Sequence, residues 1–267
     1  MGSDEDLLSR LTAKRQAVVS HPPLPAASLD SLLDDFALRH AHATAAIEGN
    51  TLTLDQVQAV LEQGVTIPGK SLREHLEVVN AHDTWRWIRP LAGRAPLTEP
   101  LVLETQRRLM QGILPEAEAG TYRRVPVYIS GSWHVPPNWV KIPDLMADWI
   151  QQYAGGSGAE HPVPFAARAH IDLVRLHPLR DGNGRTARML TNFLLMQMGY
   201  PPAHYAAEAR ERYLAALRQF DQSHDPAPFT ALTGEAVEWM MDRWLALLEQ
   251  VQEGEDESGA PPRRPTR

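Results

Sequence analysis

From Leu29 to Gln252 the apolar residues of this 267-residue chain recur at spacings of three and four, the period of helices with one buried face. Leu29, Leu32, Leu33, Phe36, Ala37 and His40 follow it, and the same helix is expected to run to Ile47, where Gly49 and Asn50 stop it. Thr53 followed by Gln56 reads as a capping box that opens a helix ending near Gly64. Further helices are expected over Leu72–Ile88, Thr98–Gly112, Ile142–Tyr153, Pro164–Leu176, Gly184–Met198, Ala207–Phe220 and Thr233–Gln252, with Pro and Gly at the joints. One stretch breaks the pattern. Tyr122 to His134 is rich in Val, Tyr, Ile and Trp around Ser130-Gly131-Ser132 and reads as a short β-hairpin. No internal repeat or linker divides the chain. The expected fold is therefore an all-α helical bundle with a small β-hairpin, spanning residues 28–250. Residues 1–27 read as an N-terminal extension and 251–267, with the Glu-, Gly-, Pro- and Arg-rich end from Glu253, as a disordered tail.

Composition removes several function classes. Hydrophobic residues make up 43% and charged residues 22%, enough for a real core. Lys+Arg 26 against Asp+Glu 33 leaves a net charge of −7, which argues against a non-specific nucleic-acid binder and still allows a local basic pocket for phosphates. There is no cysteine, so disulfides, thiolate metal sites and cysteine nucleophiles are excluded, a usage that fits the cytoplasm. No apolar run approaches the roughly 18 residues of a membrane span. Met1 to Arg10 is acidic and lacks the apolar centre of a secretory signal.

Gly64-Val65-Thr66-Ile67-Pro68-Gly69-Lys70-Ser71 matches the written P-loop pattern. Its context argues against that use. A P-loop follows a buried strand and opens a helix with free N–H groups. Here a helix precedes it, Gly64 reads as that helix's stop and Pro68 deletes an N–H. The segment is expected to be a loop, with Ser71 capping the next helix.

The informative stretch is His177-Pro178-Leu179-Arg180-Asp181-Gly182-Asn183-Gly184-Arg185-Thr186-Ala187-Arg188. An apolar-faced helix ends at His177 because the residue before a proline is disfavoured in helix. A Gly-flanked turn follows, and a second helix starts near Gly184. The loop thus lies at a helix N-terminus, where free N–H groups and the dipole favour anions. Gly182 and Gly184 let the backbone approach a ligand. Arg185 and Arg188 are three apart and share a face, a pair suited to a polyphosphate. Asp181 is an oxygen ligand for Mg²⁺ (or Mn²⁺), which prefers one or two carboxylates plus phosphates. His177 is the obvious base. Residue by residue, a plain turn or a degenerate calcium loop remains open, although Arg185 sits where a calcium loop needs an oxygen and Asn192 replaces its closing Glu. Seven specified positions together arise by chance roughly once in 10⁹ start sites at average residue usage.

The stretch resembles the Fic family signature, His-x-Phe-x-Asp/Glu-Gly-Asn-Gly-Arg-x-x-Arg, with Leu179 in place of the usual Phe. Tyr122-Arg123-Arg124, Val127-Tyr128-Ile129-Ser130 and Pro136-Pro137 resemble the family's flap hairpin. Met196 to Pro202 and Arg212-Tyr213-Leu214 resemble the part that packs on adenine, with Asp221 where animal relatives have Asn. The resemblance covers about residues 28–250 and implies a Fic fold. It also implies transfer of AMP from ATP to a Ser, Thr or Tyr hydroxyl of a target protein docked along the flap as an added strand. His177 is the implied base and Asp181 the metal ligand. The implied ATP-binding residues are Asp181, Gly182, Asn183, Gly184, Arg185, Thr186, Arg188, Val127, Tyr128, Ile129, Ser130 and Tyr213.

Thr44-Ala45-Ala46-Ile47-Glu48-Gly49-Asn50 matches the family's inhibitory motif, Ser/Thr-x-x-x-Glu-Gly/Asn, and is similar to that of the animal endoplasmic-reticulum enzymes. A carboxylate in the last turn of a helix is disfavoured by about 0.3–1 kcal/mol, so Glu48 calls for a cation. The resemblance supplies Arg188 and implies that Glu48, with Thr44, blocks the γ-phosphate site and misaligns ATP. It leaves open a paired activity in which Glu48 orients water to remove AMP, and a nucleotide-binding interaction module without catalysis. A homodimer is compatible with it, and the compact form suggests a cytoplasmic, bacterial-type protein.

Overall fold

The computed structural model describes residues 2–129 and 131–259. Among the described residues there are ten α-helices: α1 (Gly2–Ser20), α2 (Ala26–Ile47), α3 (Leu54–Gln63), α4 (Leu72–Ile88), α5 (Glu99–Leu109), α6 (Ile142–Tyr153), α7 (Pro162–Leu176), α8 (Asn183–Gln197), α9 (Arg210–Ser223) and α10 (Ala227–Gly259). α8 is the axis of the bundle. Every residue from Arg185 to Leu195 is buried, so this helix has neighbours on all sides. α7 packs along it, α2 packs on α4, α5 braces α4 and α8, and α10 closes the far side. Phe36, Trp85, Tyr153, Phe193 and Phe229 fill the centre, each almost fully buried. Among the described residues no helix is long and apolar enough to cross a membrane.

Local signals placed most boundaries. Thr53 and Ser71 each make a complete capping box, with Gln56 and Glu74. Gly64 ends α3 in the left-handed region at φ 65°, so the P-loop look-alike is the loop that the sequence context predicted. Lys70, its would-be phosphate ligand, donates from Nζ to the Thr51 carbonyl and hydroxyl, both at 2.7 Å.

Three expectations change. Residues 1–27 are not outside the bundle: α1 packs along α10, and Leu11 is fully buried. Its two core leucines, Leu7 and Leu11, lie among many charges, which hides a stripe that only a facing helix reveals. The helices touch so closely that a Cβ at Gly234 of α10 would lie 2.8 Å from Leu7 Cδ2. At the other end α10 continues through Glu253 to Gly259, where a tail was expected. A Glu-rich run extends a helix already nucleated; residues 260–267 lie outside the described residues.

The third change concerns the hairpin. Residues 122–134 form no named strand among the described residues, and the one ladder contact is an isolated antiparallel bridge from Tyr122 to Leu179. A two-stranded hairpin alone is marginal in water. The segment is instead held by side chains. Arg123 donates to the carbonyls of His177, Val125 and Pro137, Ser132 donates to Asp221 at 2.6 Å, and the His134 ring lies between the Arg175 carbonyl and its guanidinium.

Candidate active site

α7 ends where Pro178 forbids another turn, and His177 takes a left-handed conformation (φ 46°, ψ 53°), uncommon for a residue with a Cβ. Its Nδ1 lies 3.2 Å from the Val174 carbonyl. A carbonyl only accepts, so Nδ1 carries the proton and Nε2 presents its lone pair. Burial pushes the imidazole pKa below its ordinary value, against the opposing Val174 bond, so His177 is neutral at pH 7.

The loop after His177 is tied down by burial and by its own hydrogen bonds. Leu179 is fully buried, so the smaller side chain still anchors the loop. Asn183 locks it in both directions: its Oδ1 accepts from Leu179 N–H at 3.0 Å and its Nδ2 donates to the Leu179 carbonyl at 2.9 Å. Asn183, which the resemblance places among the ATP-binding residues, has its side-chain amide engaged with the loop. Gly182 sits at φ 79°, and a Cβ there would lie 2.9 Å from Met110 Cε. Thr186 is fully buried inside α8, and among the described residues its hydroxyl has no hydrogen-bond partner.

Beyond Gly182, α8 begins, and its first-turn N–H groups have no helical acceptor. The Glu48 carboxylate stands over that end: a Cβ added at Gly184 would lie 2.5 Å from Glu48 Oε1. Arg188 holds it there. Nη2 donates to Glu48 Oε1 at 2.7 Å and to the Thr44 carbonyl at 2.9 Å, and Nε donates to the Thr44 hydroxyl at 2.7 Å. Arg188 is fully buried, whereas the Glu48 side chain is 35% exposed. Burial alone would raise the Glu48 pKa, but Arg188 and Arg185 outweigh it and keep the carboxylate ionised.

Tyr213, one of the residues that the resemblance implies for ATP, is buried beside Arg188. Its hydroxyl accepts from Arg188 Nη1 at 3.0 Å and lies 2.7 Å from His170 Nε2. His170 Nδ1 lies 3.0 Å from the Thr191 hydroxyl, which itself donates to the Ala187 carbonyl. The chain of donors is thereby determined: Nδ1–H of neutral His170 to Thr191, Tyr213 O–H to His170 Nε2, and Arg188 to the Tyr213 oxygen.

Asp181 and Arg185 belong to a second cluster. Asp181 Oδ1 accepts from Gly182 N–H at 2.6 Å and from Arg185 Nη2 at 3.3 Å, and its Oδ2 accepts from Arg73 Nη2 at 2.7 Å. Arg185 Nη1 also lies 3.2 Å from Glu77 Oε1. Among the described residues, buried Arg185 Nε has no hydrogen-bond partner, which leaves donor capacity beside the α8 terminus.

Of the flap residues, Ile129 lines a small pocket with Gly131, Val174, Leu214 and Leu217, bounded by Asp221. Asp221 is paired with Arg175 at 3.1 Å and with Ser132. Val127 is half-buried, and Tyr128 is 88% exposed, turned to solvent with Trp133 at 94%. Ser130 lies outside the described residues.

The fold that carries this site recurs in known proteins. Residues 96–195 match the Fic/DOC family. The structure is similar to that of Fic-1 (residues 134–508) from C. elegans, with a TM-score of 0.82 and 30% identity over 93% of this chain and 73% of that one. The chain belongs to the Fic/DOC family. A Fic domain-containing signaling protein from Bacteroides thetaiotaomicron superposes with a TM-score of 0.80 at 26% identity, covering 91% of this chain and 98% of that one. The protein adenylyltransferase Fic of Drosophila willistoni is 35% identical over 246 residues, 91% of this chain and 48% of that protein. The chain thus spans about half the length of the curated relatives it matches.

Within this Fic scaffold, sequence reasoning missed Arg73 and Glu77 of α4 and His170 of α7. Arg73 and Glu77 form an ordinary i,i+4 pair, a pattern common on solvated helix faces, and nothing in the sequence pointed it toward Asp181.

Proposed function

We propose that this chain transfers AMP from ATP to a hydroxyl group of a protein and that Glu48 restrains the transfer. The observation that carries the reading is the Glu48–Arg188 contact over the α8 N-terminus: a carboxylate of the same chain occupies an anion site beside a neutral base. A polyphosphate is the natural competitor for that place. The relatives named protein adenylyltransferase support ATP as the donor.

In the unrestrained state Arg188 takes the γ-phosphate in place of Glu48, and Arg185 with the first N–H groups of α8 binds the inner phosphates. The base lodges in the pocket of Ile129, Val174, Leu214 and Leu217. The target lies along the flap, where Tyr128 and Trp133 offer exposed aromatic surface. His177 Nε2 removes the hydroxyl proton, the oxygen attacks the α-phosphorus, and the bond to pyrophosphate breaks. With Glu48 on Arg188 the γ-phosphate is displaced and the α-phosphorus falls out of line.

Among the described residues no three His or acidic side chains converge as a metal cage. One carboxylate, Asp181, beside a phosphate site fits a Mg²⁺ that arrives with the nucleotide. Asp181 would hold it, and the ion would neutralise phosphate charge.

Labelling with α-phosphate-labelled ATP tests the reading in wild type, Glu48→Gly and Glu48→Gly with His177→Ala. Strong labelling in Glu48→Gly alone supports both transfer and restraint. Equal labelling in the double variant removes His177 from the chemistry.

A further inference from the structure

Asp181 is the only carboxylate of the loop, and both of its oxygens already carry donors. Oδ1 takes the Gly182 N–H and Arg185, while Oδ2 takes the Arg73 guanidinium at 2.7 Å. Arg185 belongs to the loop's own helix. Arg73 does not: it reaches in from the first turn of α4, 108 residues away in sequence.

We propose that Arg73 is a second restraint, a guanidinium that occupies the carboxylate needed by the divalent cation of the nucleotide complex. This deepens the AMP-transfer reading and rests on it. Mg²⁺ binds oxygen at about 2.0–2.1 Å and demands near-ideal geometry. Arg73 on Oδ2 would compete with a cation for the Asp181 carboxylate, because two like charges would otherwise share it.

The perch of Arg73 is built, not incidental. Its Nε donates to Glu77 Oε1 at 3.1 Å, one turn further along α4. Glu77 is buried; its Oε1 also faces Arg185 Nη1, and its Oε2 accepts from Asn50 Nδ2 at 3.0 Å. Asn50 stands two residues after Glu48 and also bonds the Glu74 carbonyl at 3.0 Å. The carboxylate that holds Arg73 is thus tied to the segment that ends the inhibitory helix. Movement of that segment, which frees Arg188, also loosens Glu77 and with it Arg73. The two restraints act on different parts of one ligand: Glu48 on the terminal phosphate, Arg73 on its cation.

The Arg73 side chain is 54% exposed and Asp181 34%, so the contact is of the weak surface kind and its release is easy. Loss of such a pair changes an equilibrium by roughly two- to fivefold. The test is Mn²⁺ binding to the full chain by electron paramagnetic resonance, with saturating ADP as the non-transferring nucleotide. Wild type, Arg73→Gln, Arg73→Lys and Asp181→Asn are compared, with ADP affinity in EDTA measured separately. The expected result is two- to fivefold tighter Mn²⁺ in Arg73→Gln, near wild-type affinity in Arg73→Lys, and loss in Asp181→Asn. Unchanged Mn²⁺ affinity in Arg73→Gln, with loss in Asp181→Asn, overturns the role of Arg73 alone. Weaker binding of both Mn²⁺ and ADP in Arg73→Gln overturns it in favour of a phosphate ligand. Mn²⁺ binding unaffected by Asp181→Asn, or absent from wild type with ADP, removes the metal role of Asp181 and the proposal with it.

Discussion

Replacing Glu48 by Ala removes the carboxylate that pairs with Arg188, and the structure sets the size of the effect. The bond is 2.7 Å long and joins two charged groups, one fully buried and one 35% exposed. Hydrogen bonds to charged groups are worth about 1.5–3 kcal/mol, and solvent screening at the exposed partner points to the lower half, about 1.5–2 kcal/mol. At about 1.4 kcal/mol per factor of ten, the fraction of molecules able to align ATP rises roughly 10- to 30-fold. The initial rate of label transfer from α-phosphate-labelled ATP, at subsaturating ATP, should rise by the same factor. The same change should lower the thermal midpoint without nucleotide by about 3–8 °C, since each kcal/mol is worth about 2–4 °C for chains of this size. Arg188 keeps Thr44 and Tyr213 as partners, so folding is retained. Higher activity with lower stability is the signature. A rate within threefold of wild type, or a gain in rate with a higher midpoint, would refute the reasoning.

Other variants separate the roles of the neighbouring groups. His177→Ala should abolish transfer in the Glu48→Ala background while ATP still binds by calorimetry; lost binding would assign His177 to the nucleotide instead. Tyr213→Phe in that background removes an acceptor from Arg188, and ATP affinity should fall roughly fivefold, about 1 kcal/mol, with ADP affinity unchanged. An equal fall for both nucleotides points to a general packing defect. His177 works as a base only when neutral, and its pKa lies below the usual imidazole value because of burial. The pH profile of kcat/KM in Glu48→Ala should therefore be flat above neutrality and decline only below about pH 6.5. A decline centred above that value contradicts the assignment.

The helices, the two capping boxes and the His177–Arg188 loop were legible in the chain because each rests on neighbours within a few residues: an apolar period, a cap, a proline, a glycine. The candidate ion pair of Glu48 and Arg188 was legible through family resemblance and the cost of a carboxylate at a helix end. The close fit of α1 against α10 was not, because Leu7 and Leu11 form too short a stripe until Gly234 meets them. Nor was the flap's irregular path, since β-rich residues make strands only where a ladder exists. Tertiary structure alone set the Tyr213 hydroxyl on Arg188, made Asn183 a clamp on Leu179, and brought Arg73 of α4 onto Asp181. Those contacts join residues of separate elements, and which long polar side chain meets which depends on how the helices cross.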